Sequence, residues 1–383
     1  MPAVEPFRVE VADAVLEDLD RRLSATRYPD PLPGAGWDYG TDDAYLRELV
    51  GYWRDGYDWR ATEARLNRLD HVTTEIDGQR IHCMHARSEA PGARPLVLTH
   101  GWPGSIVEFL EVVEPLRDPA GHGGDERDAF HVVVPSLPGY AFSGPTHDRG
   151  WHPGRTARAW AELMARLGYD RYFAQGGDWG AFVTSQLALA DPEHVAGIHL
   201  NLLFPDPGDT DPATFSADEQ AGIAGFARMM DEEGGYFRIQ STRPHTLGFA
   251  LDDSPAGLCA WIVEKFRAWS DCDGDVERSF TKDQLLDNVM LYWVTGTATS
   301  SVRFYAEFNR ALRSGALPFR THVDVPTGYA RYPKEIISTS RRWAERDYNL
   351  VHFAEMARGG HFAAMEVPAL FVDDVRACFR PRR

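Results

Sequence analysis

The chain is 383 residues long, 43% hydrophobic and carries a formal net charge of −17, enough apolar material for a large core plus an insertion. That charge repels phosphate backbones and anionic lipid heads, which argues against nucleic acid or a membrane surface as partner and favours an uncharged or cationic small ligand. Cys83, Cys259, Cys272 and Cys378 are widely scattered. They form neither the close pairs of a zinc site nor a redox dithiol, and are expected to be reduced thiols in a cytoplasmic protein.

The first twenty residues carry acids throughout and lack the basic-then-apolar pattern of a signal peptide. No run approaches about 18 uninterrupted apolar residues, so no membrane anchor is expected. Val11, Val15, Leu16, Leu19 and Leu23 fall on one helical face, and the pattern repeats over residues 45–53 and 59–69. The proline-rich run from Pro29 to Gly34 separates them as a loop. From residue 71 short strands take over. Residues 72–76 and 79–85 flank Asp77-Gly78 and read as a hairpin. The apolar runs 96–98, 131–134 and 172–174 match buried parallel strands, with helical stretches at 106–116, 156–167 and 181–190. Such alternation predicts a doubly wound α/β sheet.

After Leu203 that rhythm breaks. Helical stretches at 226–230, 257–269 and 282–312 follow, and strand signals return at 321–325 and 350–357. The expected organisation is a helical extension over 1–70, a core over 71–204, a helical lid over 205–317 that excludes water from a ligand at the strand ends, and a second part of the core over 318–383.

The run Gly176-Gly177-Asp178-Trp179-Gly180 joins the 172–174 strand to the helical stretch that follows. Small residues two positions either side of a central nucleophile suit a sharp strand-to-helix turn, where a side chain would collide with the turned backbone. The residue at the tip is Asp178. Unlike serine, a carboxylate is already ionised near neutral pH and can displace a leaving group from saturated carbon. His100-Gly101-Trp102-Pro103-Gly104 follows the 96–98 strand. There the backbone N–H of Trp102 would join that of Trp179 in facing a developing oxyanion.

His361, in Gly359-Gly360-His361-Phe362, follows the last strand candidate and suits a general base. The acid partner must lie between Asp178 and His361, after a strand. Glu335 meets that requirement better than Asp324, which sits inside the 321–325 strand, but the residues alone leave both open.

Together, Gly-Gly-Asp-Trp-Gly, His-Gly-Trp-Pro-Gly-Ser and Gly-Gly-His-Phe-Ala-Ala resemble the microsomal-type epoxide hydrolases of the α/β-hydrolase superfamily, over nearly the whole chain. The resemblance implies an α/β-hydrolase fold preceded by that family's helical extension. It also implies hydrolysis of a small-molecule epoxide by water to a vicinal diol through an ester on Asp178, with no cofactor and no metal. It places the acid at Glu335 and two epoxide-activating lid phenols at Tyr236 and Tyr305, with Tyr292 and Tyr329 as neighbours of no such role. The absence of a hydrophobic anchor departs from the membrane-bound animal members and implies a soluble form.

Two rival functions remain at this level: a haloalkane or haloacid dehalogenase sharing the aspartate nucleophile, which would need N–H donors for halide where this chain offers phenols, and a non-catalytic binding protein of the same fold. The identity of the epoxide, the stereochemistry and any homo-oligomer stay open. Asp271-Cys272-Asp273-Gly274-Asp275 is expected to be a solvated turn, because its glycine falls too early for a calcium loop. His82 and His85 point to opposite faces of a strand, which argues against a shared metal. Trp53, Trp59, Trp261 and Trp269 are expected to be packing residues.

Overall fold

In the computed structural model, residues 3–317 and 321–382 are described. Among these residues nine strands form one sheet: β1 (Glu5–Phe7), β2 (His71–Ile76), β3 (Gln79–Ala86), β4 (Arg94–Thr99), β5 (Phe130–Pro135), β6 (Tyr172–Gly176), β7 (Val195–Leu200), β8 (Val323–Arg331) and β9 (Tyr348–Glu355). Their order is β1-β2-β3-β5-β4-β6-β7-β8-β9. The first three are antiparallel to their neighbours, and β5 through β9 run parallel. The predicted α/β sheet is present, and it is the α/β-hydrolase fold.

The central strands are apolar because helices cover both faces, so side chains on either side are buried. The β2–β3 hairpin closes through Asp77 (φ 51°) and Gly78 (φ 73°), the left-handed pair a two-residue turn requires. Two strands gave no clear sequence signal. In β7 the fully buried His199 interrupts the apolar run, and β1 has only three residues. β8 is longer than expected and continues through Pro326. Its register against β9 shifts between Val323 and Thr327, the kind of irregularity that accommodates a residue without an N–H.

Among the described residues, six α-helices lie between β7 and β8: Ala217–Arg228, Gly235–Thr242, Pro244–Leu251, Pro255–Ala268, Lys282–Thr295 and Ala298–Ser314. The last two were expected as one helix. Gly296, at φ 59°, caps the first of them in the left-handed conformation and splits the stretch. Helices Asp13–Ser24, Asp43–Asp55 and Trp59–Leu66 of the N-terminal region reach towards this inserted layer, where the Tyr57 hydroxyl donates to Asp287 at 2.8 Å. The expected division between 317 and 318 adjoins residues outside the described set. All four cysteines are buried and free. Among the described residues, no helix is long and apolar enough to cross a membrane.

Candidate active site

Asp178 joins β6 to the helix Trp179–Ala190 with φ 49° and ψ −129°, a conformation disfavoured for a residue with a side chain. The flanking glycines permit it. A Cβ on Gly176 would stand 2.1 Å from Gly180 O, and one on Gly180 would stand 1.9 Å from Thr99 O. Backbone atoms cannot move aside as flexible side chains do, which is the physical basis of the small residues around Asp178.

The loop after β4 crosses beside this turn. The Trp102 N–H donates to Asp178 Oδ1 at 2.8 Å. Asn288 Nδ2 donates to Pro103 O at 2.7 Å, and the Tyr292 hydroxyl donates to Gly104 O at 2.5 Å. Tyr292, expected to have no part in epoxide activation, thus clamps the loop that carries the Trp102 N–H. Trp179 occupies the first turn of its helix, where N–H groups and the helix dipole favour negative charge.

Glu335 and His361 follow β8 and β9. His361 Nδ1 is 2.7 Å from Glu335 Oε1, and His361 Nε2 is 3.3 Å from Asp178 Oδ2. Asp324 is instead exposed on β8, with its carboxylate 3.7 Å from His322 Nε2. Of the two candidate acids, geometry brings only Glu335 to His361. Burial opposes charge on the imidazole, but the carboxylates of Glu335 and Asp178 outweigh it and hold His361 well above its ordinary pKa.

Tyr236 and Tyr305 enter from the inserted helices. Their rings are 5.9 Å apart and nearly perpendicular, and Tyr236 stacks on Trp102 at 5.3 Å. Burial, reinforced by the nearby Asp178, pushes both phenols well above their usual range. They therefore keep their protons and can donate hydrogen bonds. Both share with Asp178 a cavity of about 190 Å³ whose walls include Phe182, Phe226, Met229 and Phe308. An apolar chamber with one carboxylate and two phenols suits an uncharged ligand that gains negative charge on oxygen.

Several contributors were missed from sequence. Trp269 is the buried packing residue expected, but the sequence did not show what it packs on: its ring lies 5.1 Å from both the His361 and the Tyr236 rings. Residues 273–275 of the expected solvated turn are exposed, but at its start Asp271 accepts from the Gly359 N–H at 2.9 Å and so braces the histidine loop. Lys265 lies 5.0 Å over the Tyr236 ring and pairs with Glu233 and Glu264 at 3.1 and 2.7 Å. These contacts join segments distant in the chain, for which local spacing carries no signal. His82 Nε2 lies 2.9 Å from His71 Nδ1, while His85 Nε2 lies 2.8 Å from the Tyr169 hydroxyl. The two histidines thus have separate partners. Among the described residues, no group of three or more His, Cys, Asp or Glu side chains is arranged to hold a metal ion.

Known families match the same regions. The family described as "Epoxide hydrolase N terminus" matches residues 4–109, and "alpha/beta hydrolase fold" matches residues 94–238. The chain is 48% identical over 383 residues to a protein of Stigmatella aurantiaca (strain DW4/3-1), covering 99% of this chain and 86% of that one. It is 38% identical over 402 residues to Epoxide hydrolase 1 of Sus scrofa, covering 98% and 88% respectively. The crystal structure of juvenile hormone epoxide hydrolase from the silkworm Bombyx mori superposes with a TM-score of 0.90 at 34% identity, covering 100% of this chain and 95% of the silkworm chain. With sequence and fold similarity extending over nearly its whole length, the chain belongs to the epoxide hydrolase family of the α/β-hydrolase fold.

Proposed function

We propose that this protein hydrolyses an uncharged, largely apolar epoxide to a vicinal diol in two steps. Asp178 attacks a ring carbon; the C–O bond breaks and the ring oxygen takes a proton from Tyr236 or Tyr305. The product is a hydroxyalkyl ester on Asp178. His361 Nε2 then takes a proton from water as the water oxygen adds to Asp178 Cγ. The N–H groups of Trp102 and Trp179 stabilise the resulting oxyanion, and Glu335 stabilises the imidazolium. Collapse releases the diol, which recovers the proton from His361. The phenol that protonated the alkoxide regains its proton from the water consumed. No cofactor enters these steps. We assign residues 205–317 the role of lid and residues 1–70 that of a helical extension bracing it.

The observation that carries this reading is the position of Asp178, which accepts from the Trp102 N–H, faces His361 Nε2 and shares its apolar cavity with both phenols. A single turnover in oxygen-18 water tests it. Transfer through Asp178 yields a first diol without the heavy label and places the label in the Asp178 carboxylate. Heavy label in the first diol means direct attack by water and rejects the ester.

A further inference from the structure

Asp178 borders a second, smaller cavity on the core side, away from the lid. Its volume is about 20 Å³, and its walls include Glu108, Gln175, Asp178 and His361. About 10–15 Å³ is enough for one water, provided two to four polar groups surround it. Those groups are present, and Gln175 Oε1 is buried without a hydrogen-bond partner. Among the described residues, Asp178 is the one that lines both this cavity and the phenol-lined chamber. Asp178 therefore stands between the phenol-lined chamber and a polar space that His361 also borders.

Glu108 is not otherwise explained by the reaction. It belongs to the short helix Ile106–Phe109, capped by Ser105, and the Ser105 N–H is directed at its carboxyl. A reciprocal cap of this kind accounts for one of its contacts. It does not account for the placement of the carboxyl over the backbone of Gly104, where a Cβ would fall 1.4 Å from Glu108 Oε1. The loop below is held from the inserted helix by Asn288 and Tyr292, and Ser105 Oγ itself donates to Asn288 Oδ1 at 2.7 Å.

We infer that Glu108 is a water-positioning residue, accepting one O–H of the hydrolytic water in this core-side cavity while His361 Nε2 accepts the other. The inference rests on the two-step reading above. Glu108 is not fully exposed, and desolvation pushes its carboxyl up to about 8. A neutral carboxyl still accepts through its carbonyl oxygen, and it adds no second negative charge beside the oxyanion that forms at Asp178. Glutamine offers the same acceptor, whereas leucine offers none.

The test is rapid quenching of the full-length enzyme with a reactive aryl epoxide, followed by intact mass measurement to time ester formation and ester loss separately. Glu108→Leu is expected to form the ester at the wild-type rate but to hydrolyse it about tenfold or more slowly, the cost of one lost hydrogen bond to the reacting water. Glu108→Gln is expected to restore hydrolysis to within a few-fold of wild type. Wild-type ester loss in Glu108→Leu overturns the assignment, as does equal slowing of both steps in both variants, which would indicate a helix cap and nothing more. Glutamine as slow as leucine also overturns it. If the wild type forms no ester, the two-step reading fails first and takes this assignment with it.

Discussion

The His361 N–H donates to Trp269 O at 2.9 Å, so the backbone of the proposed base is pinned by the inserted helical layer as well as by the core. Asp271 holds the neighbouring Gly359 N–H, and a Cβ on Gly360 would stand 2.6 Å from Trp269 O. The histidine loop and the turn after the Pro255–Ala268 helix therefore form one packed unit. Motion of this part of the inserted layer away from the core would displace His361.

Removing the Asp271 carboxylate should loosen that unit. Asp271→Ala is expected to lose about 1–2 kcal/mol of stability, the cost of a broken charge-assisted hydrogen bond at a partly exposed site. It should also speed amide exchange at Gly359 and His361 while leaving more distant core amides protected. Denaturant titration and hydrogen exchange read the two effects. Unchanged exchange in the histidine loop would show that Asp271 does not brace it.

The pKa of His361 should depend on the charge of Asp178. In the free enzyme Glu335 and Asp178 together overcome the burial that disfavours the imidazolium, so the ring holds a proton at pH values where an ordinary histidine is neutral. In the proposed scheme, esterification would remove the Asp178 charge and with it part of that support, so the pKa would fall and His361 would become a competent base when water must be activated. Asp178→Asn mimics the loss of charge. Its His361 ring resonances should titrate at lower pH than those of the wild type, as followed by NMR, and an identical or higher midpoint would contradict the charge argument.

The phenols act on the first step only in the proposed scheme. Tyr236→Phe and Tyr305→Phe should each slow ester formation by about 10- to 100-fold, in line with the loss of one donor to a developing oxyanion. The double variant should lose nearly all of it. Decay of any ester formed should be little changed, which rapid-quench mass measurements can resolve. Slower decay with unchanged formation would move the tyrosines to the wrong step.

Crowding at the turn bearing Asp178 predicts a large structural penalty. Gly180→Ala sets a Cβ 1.9 Å from Thr99 O, and strand β4 would have to move to relieve it. A loss of about 3 kcal/mol or more is expected, at the upper end for overpacking, together with loss of activity. Gly225→Ala is the control, since nothing lies within 4 Å of its added Cβ. Its thermal midpoint should match or exceed the wild-type value.

Local patterns in the chain were enough to identify the turn bearing Asp178, the hairpin at Asp77-Gly78, the buried parallel strands and the helical layer between β7 and β8. Each follows from a steric or periodic demand on neighbouring residues: small residues where backbone passes backbone, left-handed conformations at a two-residue turn, unbroken apolar runs where both faces are covered. The split at Gly296 and the extension of β8 through Pro326 were harder to read, because an isolated glycine or proline can be absorbed or can interrupt an element depending on its tertiary neighbours. The sequence already favoured Glu335 over Asp324 as the partner of His361, and the fold brought the two together; tertiary structure alone decided that Tyr292 and Asn288 clamp the Trp102 loop, that Trp269 and Asp271 brace the histidine, and that Glu108 borders a polar cavity behind Asp178. These relationships join residues tens to hundreds of positions apart. Their distances are set by how the sheet twists and how the inserted helices pack upon it, and no local spacing encodes that geometry.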